Sequence, residues 1–348
     1  MINKPMQLLG AAVAMATAAW AGESIGGETD PAQRVVVPST ADGTAQPAWF
    51  WTPKAGKRVP LVVELHTWSY GCDKDKGLQP NSHFLKWCRQ AGWAIVVPHF
   101  RGPNCTPQAC GSDLAVQDVI DAVAYAKSHA DVDADRVYLV GGSGGGMMTL
   151  LVAGRHPEIW AACYAACPIS DLARWHAECT AFADWRKQYA GMMEKSCGGA
   201  PATKADEYAH RSPLTYLAAA RKQGTVIDIC EGIHDGHTGS VPVGHAIRAF
   251  NALADEKDRI SDADLAAFER TERTPASLAG EWKDPFFGDK LRIHFRRASA
   301  NVRLTLFEGG HSGNYPAAFE WFGRQRRGRP ADWTVPEKGL GQESVSTK

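Results

Sequence analysis

The stretch Arg136-Val137-Tyr138-Leu139-Val140-Gly141-Gly142-Ser143-Gly144-Gly145-Gly146 decides how this chain is read. Val137 to Val140 are β-branched, aromatic or aliphatic, the pattern of a buried strand, and Met147 to Gly154 reads as a helix. Between them a serine is framed by glycines, as Gly-x-Ser-x-Gly. So sharp a turn strains the backbone at the serine and brings the next helix close, so its neighbours must be small. The turn lifts the Ser143 hydroxyl clear of the sheet and aims the following backbone N–H groups at an incoming carbonyl. A phosphate loop is the competing reading. A Walker sequence needs Gly-Lys-Ser/Thr, which is absent, and a dinucleotide fingerprint belongs near the first strand of its domain. Several strands come earlier here, so Ser143 is read as a nucleophile.

A nucleophilic serine needs a base, and the base needs an orienter. After such a turn the expected chain order is acid, then histidine, each following a later strand. Thr225 to Cys230 reads as a buried strand and runs into Glu231-Gly232-Ile233-His234-Asp235-Gly236. Val302 to Phe307 alternates with period two and runs into Glu308-Gly309-Gly310-His311-Ser312-Gly313, whose glycines let a histidine hang on a loop. Asp228 lies inside its strand and is expected to point to a sheet face. Glu231 is a possible acid, but it lies closer to the strand than Asp235. His234, Asp235 and His237 are open to a metal reading, although their spacing matches no standard site. His245 falls in a helical stretch, Val243 to Leu253, and His294 in a strand-like run without loop glycines. The candidate catalytic set is therefore Ser143, Asp235 and His311, with no metal or organic cofactor required. An oxyanion hole needs two donors. One is the backbone N–H of Gly144. The other is expected from the loop His66-Thr67-Trp68-Ser69-Tyr70-Gly71 after the strand Leu61 to Leu65. Trp68 stands where the second backbone N–H is expected, and Tyr70, through its hydroxyl, is the alternative.

Taken in order, these segments resemble the catalytic domain of the prolyl oligopeptidase family, within the α/β-hydrolase superfamily. The matching stretches are Asp135 to Gly145, Arg155-His156-Pro157-Glu158, Ile169-Ser170-Asp171-Leu172, Arg211 to Tyr216, Glu231 to Pro242, and Gly309-Gly310-His311. Two departures stand out. The stretch between Asp235 and Val241-Pro242 is longer than usual, and Thr67-Trp68 replaces the Gly-Gly or Tyr expected after the first core strand. The resemblance implies an α/β-hydrolase fold, with a mostly parallel central sheet, helices on both faces and lid insertions. It implies acyl transfer through Ser143, Asp235 and His311. The family holds peptidases and small esterases, so fold does not settle the substrate. About 35 residues lie between the leader and the first core strands, too few for the β-propeller that often precedes the peptidase domain. The acidic pair with which family peptidases grip a free amino terminus is also not placed. Both observations favour a carboxylesterase acting on ester-decorated polysaccharide or related esters, with an exopeptidase or oligopeptidase as the alternative. A non-catalytic binding protein on a hydrolase scaffold is disfavoured by the three intact residues.

Composition sets the frame. The 38 basic and 38 acidic residues balance, and no basic stripe supports nucleic-acid binding. Lys4, an apolar Met6 to Trp20 and Ala19-Trp20-Ala21 read as a signal peptide over residues 1–21, which predicts a periplasmic or secreted protein with no membrane association after cleavage. Residues 22–348 are expected to form one catalytic domain with insertions at about 172–212 and 254–290. With export, the nine cysteines are expected to form some disulfides. Cys105–Cys110 and Cys179–Cys197 are the leading pairs, Cys72–Cys88 a weaker one, and Cys163, Cys167 and Cys230 are read as buried hydrophobes. Of the twelve tryptophans, Trp175 and Trp185 lie in the first insertion and are candidates for substrate contact.

Overall fold

The computed structural model describes residues 31–54, 57–69 and 82–335. The leader at 1–21, Tyr70 and Cys72 lie outside the described residues. Among the described residues, nine strands form one sheet: β1 (Gln33–Pro38), β2 (Ala45–Trp51), β3 (Val59–Leu65), β4 (Ala94–Pro98), β5 (Val132–Gly142), β6 (Ala162–Ala166), β7 (Ile227–Gly232), β8 (Ile293–Ser299) and β9 (Val302–Phe307). Their order is β1-β2-β4-β3-β5-β6-β7-β9-β8. From β4 to β9 every pairing is parallel, while the pairings β1–β2, β2–β4 and β9–β8 at the two sides are antiparallel. This is the α/β-hydrolase arrangement that the resemblance implies.

The α-helices between and after the described strands are α1 (Ser82–Ala91), α2 (Asp113–His129), α3 (Gly144–Arg155), α4 (Leu172–Ala181), α5 (Gln188–Cys197), α6 (Ala205–His210), α7 (Leu217–Gln223), α8 (Gly244–Leu253), α9 (Asp262–Thr271) and α10 (Tyr315–Phe322). Both sheet faces are covered, so β4, β6 and the Val137 to Val140 part of β5 are apolar throughout rather than alternating with polar residues. Leu61, Val63, Val137 and Leu139 point into a core shared with α2, α3, α7 and α8. Their neighbours Val62, Tyr138 and Val140 point to the other face, against Phe84 and Cys88 of α1 and Ala318 and Phe322 of α10. The Ser112 hydroxyl accepts the N–H of Ala115 and starts α2, and Ser261 does the same for Asp264 at α9.

Asp228 does point to a sheet face. It meets Arg303 of β9 in a two-pronged pair, with Nε at 3.0 Å and Nη2 at 2.6 Å, both side chains buried. Removing one member leaves a buried charge without its partner, which costs about 3–5 kcal/mol. Asp228→Ala is therefore expected to lower stability by roughly 3 kcal/mol or more, read as a fall in the urea midpoint at unchanged slope.

The cysteines correct the sequence reading. All eight described cysteines are free thiols. Cys179 is near the end of α4 and Cys197 ends α5, and the two helices form a hairpin, so the thiols lie at its opposite ends. Cys179 lies beside Glu178 and Arg186, whereas Cys197 neighbours Arg211, Glu207 and Tyr208. Burial pushes the Cys179 thiol up to about 12 and Cys197 to about 11, so neither is a ready nucleophile. Cys105 and Cys110 are likewise unbonded. Among the described residues, no helix is long and apolar enough to cross a membrane.

Candidate active site

Parallel strands present their carboxyl ends on one side of the sheet, where ligands of open α/β sheets bind. Ser143 stands there between β5 and α3, at φ +58° and ψ −121°. This is a conformation an L-residue rarely adopts, and such strain is held only where surrounding contacts over-determine it. Here the Ser143 N–H donates to the Ala166 carbonyl at 2.9 Å, which ties the turn to β6. The glycines answer a space requirement. A Cβ on Gly145 would lie 2.5 Å from the Leu65 carbonyl oxygen and 2.7 Å from that of His66, so α3 approaches β3 backbone to backbone.

Asp235 and His311 meet as expected. His311 Nδ1 lies 2.6 Å from Asp235 Oδ2. Asp235 is held by its own loop, since Oδ1 accepts the N–H groups of Gly236 (2.9 Å) and Val241 (3.2 Å). The long stretch leading to Val241-Pro242 is thus the loop that wraps this carboxylate. Gly239 within it has no room for a side chain, because a Cβ would run into both Asp235 and His311. With Nδ1 committed to Asp235, Nε2 is the nitrogen left for a nucleophile. Burial opposes a charge on His311, but the Asp235 carboxylate, together with Cys167, outweighs it and raises the imidazole pKa well above the ordinary 6.5.

Two further groups reach this centre. Cys167 follows β6 at φ +38°, and its Sγ lies within 4.8 Å of both the Asp235 carboxylate and a ring nitrogen of His311. Tyr189 of α5 lies close to His311, Ser69 and Ser240. Neither is visible as a site residue in the sequence, although the four-residue spacing of Trp185 and Tyr189 hints at one shared face. Their rings are 5.9 Å apart, and Trp185 is 53% exposed, in contrast to most of the tryptophans.

The oxyanion candidates also converge. The position of a Cβ on Gly144 lies 2.6 Å from the Trp68 backbone nitrogen, so the β3 loop and the elbow are in contact. The Trp68 side chain is buried, edge-on to Trp175 at 4.7 Å, and does not open onto solvent. Trp175 departs from its expected role. It is 1% exposed, and its indole N–H donates to the Ser240 carbonyl at 2.8 Å, so it braces the acid loop from within rather than offering a face to substrate.

The remaining acid-loop histidines are engaged elsewhere. His234 bridges Glu272 (Nδ1, 2.7 Å) and Glu308 (Nε2, 2.9 Å), and His294 bonds Glu308 at 2.8 Å. His237 Nε2 faces the Glu269 carbonyl oxygen at 2.6 Å. These contacts tie the acid loop to the end of α9, through Glu269 and Glu272, and to the start of the histidine loop, through Glu308. His245 is buried between Ser170 and Glu178.

Arg186 locks the first insertion onto the acid loop. Its Nη1 donates to the carbonyls of Gly236 (2.9 Å) and Gly239 (3.1 Å), while its plane stacks 3.6 Å over Phe182. Charge-assisted bonds of this kind are worth about 1.5–3 kcal/mol. Arg186→Ala is expected to cut kcat/KM about tenfold, for a carboxylate displaced by a fraction of an ångström, with a smaller loss in thermal stability. Steady-state kinetics paired with a melt checks it.

The model of the prolyl oligopeptidase family, Peptidase S9, matches residues 81–271, more than half of the chain. Among curated proteins, the acylamino-acid-releasing enzyme of Rattus norvegicus is 28% identical over 257 residues, covering 70% of this chain and 32% of that protein. The Homo sapiens enzyme of the same name is 29% identical over 181 residues, covering 48% and 23%. The chain thus spans about a third or less of these relatives' length. Among solved structures, Pyrococcus horikoshii acylaminoacyl peptidase superposes with a TM-score of 0.58 at 15% identity, over 85% of this chain and 42% of that one. An acylaminoacyl peptidase in complex with Z-Gly-Gly-Phe-chloromethyl ketone superposes with 0.57 at 16% identity, over the same shares. At such identities the likeness carries the fold.

Proposed function

The chain belongs to the prolyl oligopeptidase family and is a serine hydrolase, and on that premise we propose that it is a peptidase that releases an N-acylated residue from short peptides. The observation that carries the reading is the Asp235–His311 pair at 2.6 Å on the sheet end that bears the strained Ser143 turn. The expectation of an esterase acting on decorated polysaccharide gives way, because the curated relatives are named as acylamino-acid-releasing enzymes.

In this reading His311 Nε2 takes the proton from Ser143 Oγ as the oxygen attacks the peptide carbonyl. Asp235 fixes the tautomer and stabilises the imidazolium that forms. The N–H of Gly144 and the backbone of the Trp68 loop receive the oxyanion. His311 then delivers its proton to the leaving amine, and water repeats the sequence on the acyl-enzyme. Tyr189 and the exposed Trp185 supply an apolar wall beside His311 for the side chain preceding the scissile bond.

The base must be neutral to work, and Asp235 holds its pKa up. Activity is therefore lost as pH falls through the raised pKa, and the acid limb of kcat/KM is expected to have its midpoint above 6.5. A substrate panel tests the assignment: N-acetyl-alanyl and N-acetyl-phenylalanyl p-nitroanilides, the same amides with a free amine, and p-nitrophenyl butyrate. Preference for the acylated amides over the free amines supports the reading. Ester turnover with all amides untouched returns it to a carboxylesterase.

A further inference from the structure

Glu231 is the penultimate residue of β7, four positions before Asp235, and it is 0% exposed. Neither of its carboxyl oxygens receives a hydrogen bond from any donor. A buried carboxylate with no donor is among the costliest groups a fold can hold. Asp235, in contrast, receives two backbone N–H groups and the His311 ring. The titratable groups facing Glu231 are Asp235 from the acid loop, Cys167 after β6 and Cys230 on its own strand. His311 lies behind Asp235. None of the three immediate neighbours is a cation. Leu306 stands across from it in the β9 register. Two neighbouring buried carboxyls are held at least cost with one negative charge between them, and it belongs on the one that has donors.

We propose that Glu231 is held as a neutral carboxylic acid whose O–H donates to the Asp235 carboxylate, making it a positioning residue behind the catalytic pair. The proposal rests on the triad reading above and extends it by one member, Glu231–Asp235–His311–Ser143. The bond leaves every atom in place. The proton stays on Glu231, Asp235 keeps its charge, and the donated hydrogen bond moderates the basicity of Asp235 and fixes the plane of its carboxylate. Burial, and then the charge on Asp235, push the Glu231 pKa well above the carboxylate range, which agrees with the geometry.

Two substitutions separate a neutral from an ionised Glu231. Glu231→Gln keeps the shape and offers an N–H in place of the O–H. Glu231→Leu keeps the volume and removes the donor. The readouts are the acid limb of kcat/KM and the titration of the His311 ring followed by NMR on histidine-labelled protein. If Glu231 is neutral, the Gln variant holds kcat within about threefold and leaves the His311 midpoint in place. The Leu variant, with Asp235 more basic, moves that midpoint up by about half a pH unit or more and loses about tenfold in kcat. If Glu231 is ionised, both variants remove a negative charge and both midpoints fall, which overturns the proposal. Midpoints and rates unchanged in both variants also overturn it, since Glu231 then only fills space. Should the Leu variant fail to fold, Glu231→Met, which likewise removes the donor at similar volume, takes its place with the same expected rise in midpoint. The NMR titration does not depend on turnover, so failure of the triad reading in kinetics leaves the Glu231 result separately legible.

Discussion

Ser143→Ala is expected to lower kcat by at least about 10⁴-fold against any substrate the enzyme accepts, while leaving the fold and melting temperature close to those of the parent. The size follows from the covalent step. Without Oγ no acyl-enzyme forms, and what persists is the orientation and oxyanion stabilisation supplied by the Gly144 and Trp68 backbones, which in triad enzymes retain roughly 10³–10⁴-fold over water. The fold survives because the elbow is held by main-chain contacts, chiefly the Ser143 N–H to the Ala166 carbonyl, and not by the hydroxyl. The strained φ of +58° persists with alanine, so the two proteins carry the same local cost. Matched kinetics and calorimetry check both halves of the prediction. A variant that keeps more than a few per cent of activity places the nucleophile elsewhere.

Asp235→Asn is expected to cost about 10³–10⁴-fold in kcat with only a modest change in stability. Asparagine keeps an oxygen for the N–H groups of Gly236 and Val241, so the acid loop stays closed. Its amide N–H₂ then faces His311 Nδ1 and forces the tautomer whose Nε2 carries a proton. That ring cannot accept a proton from Ser143, so the loss falls on kcat rather than on KM. A burst experiment with an activated ester separates slowed acylation from weakened binding. If Asp235→Asn instead raises KM alone, Asp235 serves binding and the orienter of His311 lies elsewhere.

Much of this site is legible in the amino-acid sequence, for physical reasons that differ from residue to residue. The elbow announces itself because backbone strain and close packing admit so few residue types. Val302 to Phe307 alternates cleanly enough to fix the bounds of β9, although all six residues are buried. The starts of α2 and α9 follow from Ser112 and Ser261, whose caps are local. Asp235 and His311 can be named because each follows a strand in the expected order. Cys167 and Tyr189 cannot, because their importance lies in which loops meet above the sheet, and no local pattern encodes that; Glu231 is visible only as the competing acid, and its place behind Asp235 is not. In the sequence Glu231 reads as a rival to Asp235, and only its burial without donors separates the two carboxyls. The cysteine pairing fails for a similar reason. Cys179 and Cys197 sit on the two helices of a hairpin, and proximity along the chain becomes opposite ends in space. Trp175 looks available because it sits in the insertion, but that insertion folds back so that the ring supports the acid loop.

The most direct test of the central claim is labelling of the purified protein with a fluorophosphonate, followed by peptide mapping of the adduct by mass spectrometry. Activated Ser143 predicts one phosphonyl group per chain, on the peptide containing Gly142-Ser143-Gly144, formed faster as pH rises through the His311 midpoint and lost in His311→Ala. An unlabelled protein, or an adduct on another residue, contradicts the assignment of Ser143, Asp235 and His311 as the catalytic centre.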